Sequence, residues 1–325
     1  MKQLEEYTGL IILNYNNYQD TINCINSIDR YNTSPIKIIV VDNGSTQNEV
    51  VENLHVFFQN KYKENYDRLY DEKTNKSNLP YLTFDVSHIN SGYAQGNNKG
   101  LYLAYNDHSI KYVMILNNDV LFKCDMIDGL ISSFKSLDRC AVISPLLRRR
   151  DGVAIDTACA RNLPTPNEII ARYITLNMRL PLLYSKYLGP SHNLLLKNPL
   201  LVNEEFLQVE VVSGSCFLIE KKIFQEIGGF DPHTFLYYEE YILSKQISRL
   251  GLKNYMVTRY DAIHLGGATA SKYNAFCAKA NLKSAEYYMY NYCTLSFIQR
   301  ALFGIAVGLM RLKFYIYDRI HKYSK

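Results

Sequence analysis

The chain has 325 residues, of which 47% are hydrophobic and 21% are charged, and its net charge is +5. This composition excludes a disordered chain and is typical of a globular protein with one large domain or two small ones. Residues 300–325 hold six basic residues and one acidic residue, a net of +5, so residues 1–299 are neutral overall. That distribution excludes a uniformly basic nucleic-acid-binding protein.

The cysteines and the N-terminus indicate a cytoplasmic setting. Seven cysteines are scattered without a CxxC pair, which favours reduced thiols over a disulfide framework. The first residues, MKQLEEYTG, are polar and do not resemble a signal peptide. No stretch reaches the ~18 apolar residues of a transmembrane helix. The sequence therefore predicts a protein that stays in the cytoplasm.

Strands and helices are predicted to alternate through the first part of the chain. Buried strands are predicted at 10–13, 36–41 and 81–86. Between the first two strands, Ile22, Ile25 and Ile28 recur at helical spacing. A polar helix is predicted around 49–58, and the charged residues 59–79 predict an exposed excursion. This order predicts a parallel, doubly wound sheet.

Two of the predicted strands end in an aspartate. Asp42 closes the second strand, and Asp119 follows the apolar run 113–116 through Asn117 and Asn118. Because parallel strands end at the ligand-binding edge of such a sheet, both carboxylates are expected within reach of one ligand. Asp119 is a candidate ligand of a divalent cation and a phosphate. The alternative at both positions is a polar turn, since Asn, Asp and Gly favour turns.

A stretch rich in glycine and asparagine, NSGYAQGNNKG, occupies residues 90–100. It predicts a loop before a helix, with a backbone that can approach a ligand closely. Its spacing matches neither a Walker A loop nor a dinucleotide-binding fingerprint.

Regular elements are separated by a long irregular segment in the second half. Residues 126–137 predict a helix and 141–144 a strand. Residues 151–208 lack clear periodicity and hold four of the nine prolines, which predicts an irregular insertion with substrate-specific elements. Strands are predicted again at 209–219, where a glycine interrupts the run, and at 254–258.

Acidic residues and a histidine stand out near these last strands. Glu239 and Glu240 begin a predicted helix that Gly251 ends. Carboxylates in a first helical turn are stabilised by the helix dipole, and the alternative is a general base at the rim of the sheet. His264 precedes a glycine pair, and a single histidine in that position is either structural or a ligand.

Eight short motifs occur in a fixed order along residues 8–270. They are an NYN-type first strand, VVDNGST at 40–46, NSGYAQGNNKG at 90–100, LNND at 116–119, SG at 213–214, GGFD at 228–231, FLYYEE at 235–240 and HLGG at 264–267. Together they resemble family 2 glycosyltransferases, GT-A fold enzymes that include bacterial rhamnosyltransferases. The resemblance implies an α/β catalytic domain at 1–270, with a Rossmann-like, mostly parallel sheet flanked by helices and with 151–208 as its variable acceptor-side insertion. Residues 271–325 follow as a separate C-terminal tail.

The resemblance also implies roles for individual residues. Asp119 and His264 would hold Mg²⁺ or Mn²⁺, and Glu240 would be the general base, with Glu239 beside it. The donor nucleotide and its pocket would involve Tyr15, Asp42, Asn90, Gly92, Asn97 and Asn118.

Three positions depart from the family's pattern. The general base of the family is most often Asp, whereas Glu240 has a longer side chain. Ile242 stands where a second acidic residue is often found, and Asn117 begins the DxD-type motif. Asp119 is therefore the remaining carboxylate of that motif, which predicts weak metal binding without the nucleotide diphosphate.

The implied reaction is a metal-dependent, inverting transfer of a sugar, with rhamnose as the first candidate. The donor would be a dTDP- or UDP-linked sugar, and the acceptor a hydroxyl of a glycan or a lipid-linked intermediate of surface polysaccharide biosynthesis. One alternative is a sugar nucleotidyltransferase, but NYNNYQD after the first strand lacks the glycine-rich phosphate loop it would need. Another is a non-catalytic nucleotide-sugar-binding protein, which the residues Glu240 and Ile242 favour.

The C-terminal tail shows helical periodicity with basic flanks. One predicted face carries Ile298, Leu302, Ile305, Leu309, Leu312, Ile316 and Ile320. The apolar run 301–310 is too short to span a bilayer, which predicts an interfacial helix on an anionic membrane surface. The enzyme would then lie peripherally on the inner face of the cell membrane. The alternative is a helix packed on the catalytic domain or on a second protomer of a homodimer.

Overall fold

The computed structural model describes residues 6–70, 76–177, 192–266 and 275–322. The strands in these ranges are β1 (Tyr7–Asn14), β2 (Ile36–Asp42), β3 (Tyr66–Leu69), β4 (Leu82–Val86), β5 (Ile110–Asn117), β6 (Val120–Phe122), β7 (Cys140–Arg148), β8 (Ala160–Arg161), β9 (Phe206–Val209), β10 (Val211–Val212), β11 (Cys216–Glu220) and β12 (Lys253–His264). The helices are α1 (Tyr18–Tyr31), α2 (Asn48–Tyr62), α3 (Gly92–Asn106), α4 (Ile127–Ser136), α5 (Pro166–Asn177), α6 (Leu194–Lys197), α7 (Lys221–Glu226), α8 (Glu239–Arg249), α9 (Ala275–Tyr292) and α10 (Phe297–Lys322).

A single large sheet organises these elements. Its strand order is β3-β4-β2-β1-β5-β11-β7-β12-β6, and β9 pairs with β12. The strands from β3 to β5 are parallel, whereas β11 lies antiparallel between β5 and β7. This confirms the predicted mostly parallel sheet flanked by helices, with one correction: the sheet is mixed.

The central strands are buried on both faces. All seven residues of β2 are buried, as are five consecutive residues of β1. Since successive side chains of a strand point to opposite faces, helices must cover the sheet on both sides. This burial explains the continuous apolar runs of the sequence.

The register of the sheet gathers the polar strand ends at one edge. Asn14 at the end of β1 pairs with Asp42 at the end of β2. On the other side of β1, Leu13 pairs with Asn117, so the loop that carries Asp119 follows at the same edge. The start of β11 pairs with the end of β5, which brings residues 213–215 there.

The glycine-rich stretch 90–100 was wrongly predicted as a loop, since α3 begins at Gly92. Glycine disfavours helices, but here close packing against the sheet outweighs that preference. A Cβ on Gly96 would lie 2.6 Å from Leu13 Cδ1, and one on Gly100 would lie 2.6 Å from Ile11 Cγ2. The glycines therefore let α3 approach β1.

Other segments are also more regular than predicted. The excursion at 59–79 contains the edge strand β3, and the insertion at 151–208 contains β8, α5, α6 and β9. The strand at 209–219 is divided between β9, β10 and β11, and β12 extends well beyond 254–258 to reach His264. Pairing partners elsewhere in the sheet stabilise these strands, and local sequence patterns do not contain that information. Residues 178–191 of the insertion lie outside the described residues.

The C-terminal helices pack on the catalytic part of the chain through a second hydrophobic cluster. It joins Tyr173 of α5, Ile242 of α8, Tyr288 of α9 and Phe303 of α10. The predicted C-terminal helices are thus confirmed, while residues 271–274, residues 323–325 and the Ile320 side chain lie outside the described residues. Across the described ranges, no helix has the length and apolar content needed to cross a membrane.

Candidate active site

A buried polar network closes the ends of β1 and β2. The Asp42 carboxylate has no exposed surface and accepts hydrogen bonds from Asn14 Nδ2 at 2.7 Å, Ser45 Oγ at 2.6 Å and Ser45 N at 2.9 Å. Asn14 Oδ1 in turn accepts from Thr21 Oγ1 at 2.8 Å and from Asn118 Nδ2 at 3.3 Å. Asp42 and Asn118 therefore bind the chain itself, and their contact with a nucleotide stays a prediction.

Tyr15 lies exposed beside this network. Its side chain is 42% accessible, and the next residue, Asn16, adopts a left-handed backbone with φ of 54°. Asn16 N donates to Ser45 Oγ at 2.8 Å, and Asn16 Oδ1 accepts from Thr46 N at 2.8 Å. These bonds hold an exposed aromatic ring at the edge of the sheet where the predicted nucleotide site lies.

Asn43 connects the end of β2 to the start of α3. Its Oδ1 accepts from Ser91 Oγ at 2.9 Å, and its Nδ2 donates to Asn90 Oδ1 and to Gly92 O, both at 3.0 Å. Gly92 has φ of 83°, and a Cβ there would collide with the Phe235 carbonyl. Asn90 and Gly92 thus lie in a rigid turn, which Asn43 organises.

The predicted donor residue Asn97 is buried inside α3. Its Nδ2 donates to Tyr93 O at 2.9 Å, one helical turn earlier. Its Oδ1 is buried and has no hydrogen-bond partner among the described residues. A contact between Asn97 and a donor sugar stays a prediction, whereas its neighbour Asn98 binds Phe230 N and Phe230 O.

Asp119 and His264 converge, as predicted for a metal pair. The end of β12 pairs with β6, with His264 opposite Val120, so the two candidate ligands approach within 3.5 Å between Asp119 Oδ1 and His264 Nε2. Both side chains are largely buried. On its other side, His264 Nδ1 lies 3.3 Å from Asp156 Oδ2.

The protonation of His264 reflects these two carboxylates. Burial lowers the pKa of His264, but the hydrogen bonds and charges of Asp119 and Asp156 outweigh burial and raise it to about 9. Burial acts to raise the pKa of Asp156, and its hydrogen bonds to His264 and to Ala158 N bring it below its usual range. Without a cation, His264 is therefore a positively charged imidazolium at neutral pH and lies between two carboxylates.

The pair fits a sparsely coordinated hard cation. No cluster of three or more His, Cys, Asp or Glu in the described part of the chain could hold a metal ion. Two atoms 3.5 Å apart can nevertheless both contact one divalent cation at about 2.1 Å. Phosphate oxygens and water commonly complete such a shell. Asp156 then occupies the outer position that orients a ligating histidine.

The two glutamates at the start of α8 lie in different environments. Glu239 is buried, and burial together with the charge of Glu240 raises its pKa to about 8. Glu240 is more exposed, and its Oε1 lies 3.3 Å from Arg161 Nη2. Tyr237 and Tyr238 before them both have left-handed backbones, with φ of 72° and 73°. Strain at two consecutive residues of this kind is typical of functional sites.

Arg161 is a site residue that sequence reasoning missed. Its guanidinium is buried and contacts the Tyr241 hydroxyl, Val212 O and Glu240 Oε1, each at 3.3 Å. Arg161 reaches this position because β8 pairs with β10 in a small two-stranded sheet. Neither Arg161 nor Asp156 belongs to a motif, and both lie in the segment predicted as irregular.

Residues 213–215 lie between the Asp119–His264 pair and the glutamates. Ser215 Oγ lies 3.3 Å from His264 Nε2, and Gly214 O accepts from the Tyr93 hydroxyl at 2.7 Å. A Cβ on Gly214 would lie 3.1 Å from Glu240 Cγ. The structure thus assembles Asp119, His264 and Glu240 around one short segment, while Asp42, Asn97 and Asn118 are engaged inside the protein. Gly267, the last residue of the HLGG motif, lies outside the described residues.

Comparison with known proteins defines the class. Residues 10–228 match the family described as glycosyl transferase family 2, and the chain belongs to that family. The predicted resemblance to family 2 glycosyltransferases is therefore confirmed.

Two named relatives each match about half of the chain. Over 184 residues it is 28% identical to the low-salt glycan biosynthesis hexosyltransferase Agl10 of Haloferax volcanii, covering 55% of this chain and 52% of that protein. Over 158 residues it is 24% identical to the N-acetylglucosaminyl-diphospho-decaprenol L-rhamnosyltransferase of Mycobacterium tuberculosis, covering 47% and 46%. The chain thus matches about half the length of these relatives.

Solved structures confirm the GT-A fold. The structure of GalNAc-T7 with UDP, GalNAc and Mn²⁺ superposes with a TM-score of 0.58 at 15% identity, covering 89% of this chain and 48% of that one. S. aureus TarS 1–349 superposes with a TM-score of 0.50 at 10% identity, covering 91% and 69%. At these identities the likeness concerns the fold alone.

Proposed function

We propose that this enzyme transfers a hexose, with rhamnose as the first candidate, from a dTDP- or UDP-linked donor to a hydroxyl of a glycan or lipid-linked acceptor. The convergence of Asp119, His264 and Glu240 around residues 213–215 carries the proposal. The names of the two relatives support the sugar class and the lipid-linked acceptor. Such an enzyme serves surface polysaccharide biosynthesis at the cytoplasmic face of the cell membrane.

The donor binds at the edge formed by β1, β2 and α3. Tyr15 offers an exposed ring against which the nucleotide base stacks. Asp42 and Asn118 stabilise this edge of the sheet, because their side chains form hydrogen bonds with Asn14 and Thr21. The turn at Asn90 and Gly92 forms the neighbouring wall.

Asp119 and His264 would hold Mg²⁺ or Mn²⁺, the metal that accompanies UDP in the GalNAc-T7 structure being Mn²⁺. The ion, when bound, supplies positive charge against the charge that develops on the departing diphosphate. His264 must give up its proton to act as a ligand, and Asp156 keeps the remaining N–H at Nδ1.

Glu240 removes the proton of the acceptor hydroxyl. As the hydroxyl oxygen forms its bond to the anomeric carbon, the bond from that carbon to the diphosphate oxygen breaks, and the diphosphate leaves with the electron pair. This single displacement inverts the anomeric configuration. Arg161 orients the Glu240 carboxylate through Nη2. Because the pKa of Glu239 is raised to about 8, Glu239 stays protonated at neutral pH and does not compete for the proton.

Donor binding is tested by the thermal midpoint with UDP, dTDP, GDP and their sugars, each with and without Mn²⁺. A ligand that binds only the folded state raises the midpoint. We expect one nucleotide to raise it in the presence of Mn²⁺, and His264→Ala to abolish the metal-dependent part. The exposed Glu226→Gln variant is the control and should keep the full shift. No shift with any nucleotide at millimolar ligand would contradict the donor site.

A further inference from the structure

Helix α10 has two apolar faces. The inner face, which packs on the protein, consists of Phe303, Ala306, Val307 and Met310. The outer face consists of Ile298, Leu302, Ile305, Leu309, Leu312 and Ile316, which are between 44% and 69% exposed. At 3.6 residues per turn these sets lie on separate faces of the helix, whose mean directions are about 130° apart. Helix α10 therefore packs on the catalytic domain through its inner face, and the described part of the predicted apolar stripe takes no part in that packing.

The outer face is continuous. It extends over about 27 Å from Ile298 to Ile316, since a helix rises 1.5 Å per residue. Single exposed apolar residues are common on protein surfaces, but a continuous stripe of this length marks an interaction surface. The second hydrophobic cluster does not need the outer face, because Phe303 and Met310 on the inner face of the helix are already buried.

The charges beside the outer face are positive. The acidic residues nearby are paired: Asp318 with Lys279 and Glu286 with Arg311. Lys313 and Arg319 lie on the two flanks of the outer face, each about 60° from its centre. Neither forms an ion pair with a carboxylate of the described residues: Lys313 donates to Leu176 O, and Arg319 lies over the Tyr315 ring. An apolar stripe with basic flanks is complementary to the interface of an anionic bilayer.

A second copy of the chain fits this face less well. In a two-fold symmetric dimer the same surface meets itself, so the basic flanks of the two copies would approach each other. Like charges that face each other across an interface are unfavourable. An anionic lipid surface satisfies both the stripe and its flanks.

We propose that the outer face of α10 lies in the headgroup region of an anionic membrane. The inner face of the helix shares its cluster with Tyr238 and Ile242, which flank Glu239 and Glu240. Helix α10 therefore lies between the bound membrane and the cluster that contains Tyr238 and Ile242. Delivery of a lipid-linked acceptor to Glu240 rests on the proposed function, whereas membrane binding itself does not.

The test measures co-sedimentation of the full chain with phosphatidylcholine vesicles, with and without phosphatidylglycerol. We expect binding to the anionic vesicles and a loss of about tenfold or more for Ile305→Glu combined with Leu309→Glu. The control combines Val56→Glu and Leu200→Glu, which are 53% and 72% exposed elsewhere, and should bind like the wild type. Replacing Lys313 and Arg319 by Ala should weaken the preference for anionic vesicles.

Three results would overturn the inference: no binding by the wild type, equal binding by the Ile305/Leu309 variant, or a sedimenting dimer that this variant dissociates. The last result would make the face a homodimer interface. Equal thermal midpoints establish that the variants fold. Hydrolysis of the nucleotide sugar without vesicles should be the same in all of them. A wild type that hydrolyses the nucleotide sugar but does not bind vesicles would therefore count against the membrane surface alone. Vesicle binding without any turnover counts against the proposed function alone.

Discussion

Two polar regions at the same edge of the sheet are built in opposite ways. Around Asp42, every hydrogen bond to the carboxylate is between 2.6 and 2.9 Å, and the side chain is fully buried. Around His264 and Arg161, the ion pairs with carboxylates are 3.3 to 3.5 Å long. Short bonds between satisfied groups hold the fold, whereas long contacts between charged groups leave room for a substrate or ion. Catalytic hydrogen bonds often tighten only when the substrate binds.

The largest effect is expected in the region around His264 and Arg161, where the contacts are longer. Replacing Glu240 by Gln should lower the rate of sugar transfer about a thousandfold, because a positioned general base contributes on that order. The affinity for the nucleotide should stay unchanged. Transfer of labelled sugar to acceptor measures the rate, with Glu226→Gln as the matched control. A variant with near-normal transfer would assign the proton to another group.

In the region around Asp42, a substitution should instead change the stability of the protein. Replacing Asp42 by Ala leaves Asn14 Nδ2 and the Ser45 amide without their acceptor, at a cost of about 3 kcal/mol in the free energy of unfolding. Urea unfolding measures this change, and the exposed Asp128→Ala variant should be close to neutral. Unchanged stability together with loss of nucleotide binding would show that Asp42 belongs to the donor site. It would contradict the structural role that is assigned to the region around Asp42.

Asp156 lies between the two types of region, since it is partly buried but bonds to His264 at 3.3 Å. Asp156→Asn should weaken Mn²⁺ binding in the presence of nucleotide about tenfold, because groups that orient a ligating histidine have effects of that size. Titration calorimetry measures the affinity, with Asp128→Asn as the control. Unchanged affinity would show that Asp156 does not orient His264.

The smallest effect is a dependence of stability on pH without metal. The pKa of His264 is raised from 6.5 to about 9, so its stabilisation is complete below pH 6.5 and is lost as the pH rises to 9. The pKa of Glu239 is raised from 4.5 to about 8, which gives a loss of the same sign between pH 4.5 and 8. The thermal midpoint should therefore fall by a few degrees between pH 6 and 9. His264→Gln and Glu239→Gln should each flatten this decline, and a midpoint that rises with pH would contradict both assignments.

The sequence predicted those parts of the site that lie at the ends of buried strands. Strand β2 is recognisable because all its residues are buried, and its end fixes Asp42. The approach of Asp119 and His264 was predicted from the family resemblance and not from spacing, because the register of β6 and β12 that joins them is a tertiary property.

The parts that could not be predicted depend on contacts distant in the chain. Arg161 lies 79 residues before Glu240, and Asp156 lies 108 residues before His264. No local periodicity marks either residue. The helix at Gly92 was missed because propensity disfavours glycine there, while close packing of Gly96 and Gly100 on β1 outweighs it.

The turn at Gly92 also constrains how this enzyme can be recombined with its relatives. Its backbone touches that of Phe235, and Tyr93 N donates to Phe235 O at 2.8 Å, so the start of α3 and the loop before Glu239 are fitted to each other. The match to the family ends at residue 228, between these two partners. A chimaera joined at that boundary would separate two surfaces that are packed against each other. A chimaera that exchanges the first half of the chain therefore requires residues 230–238 to be transferred with it.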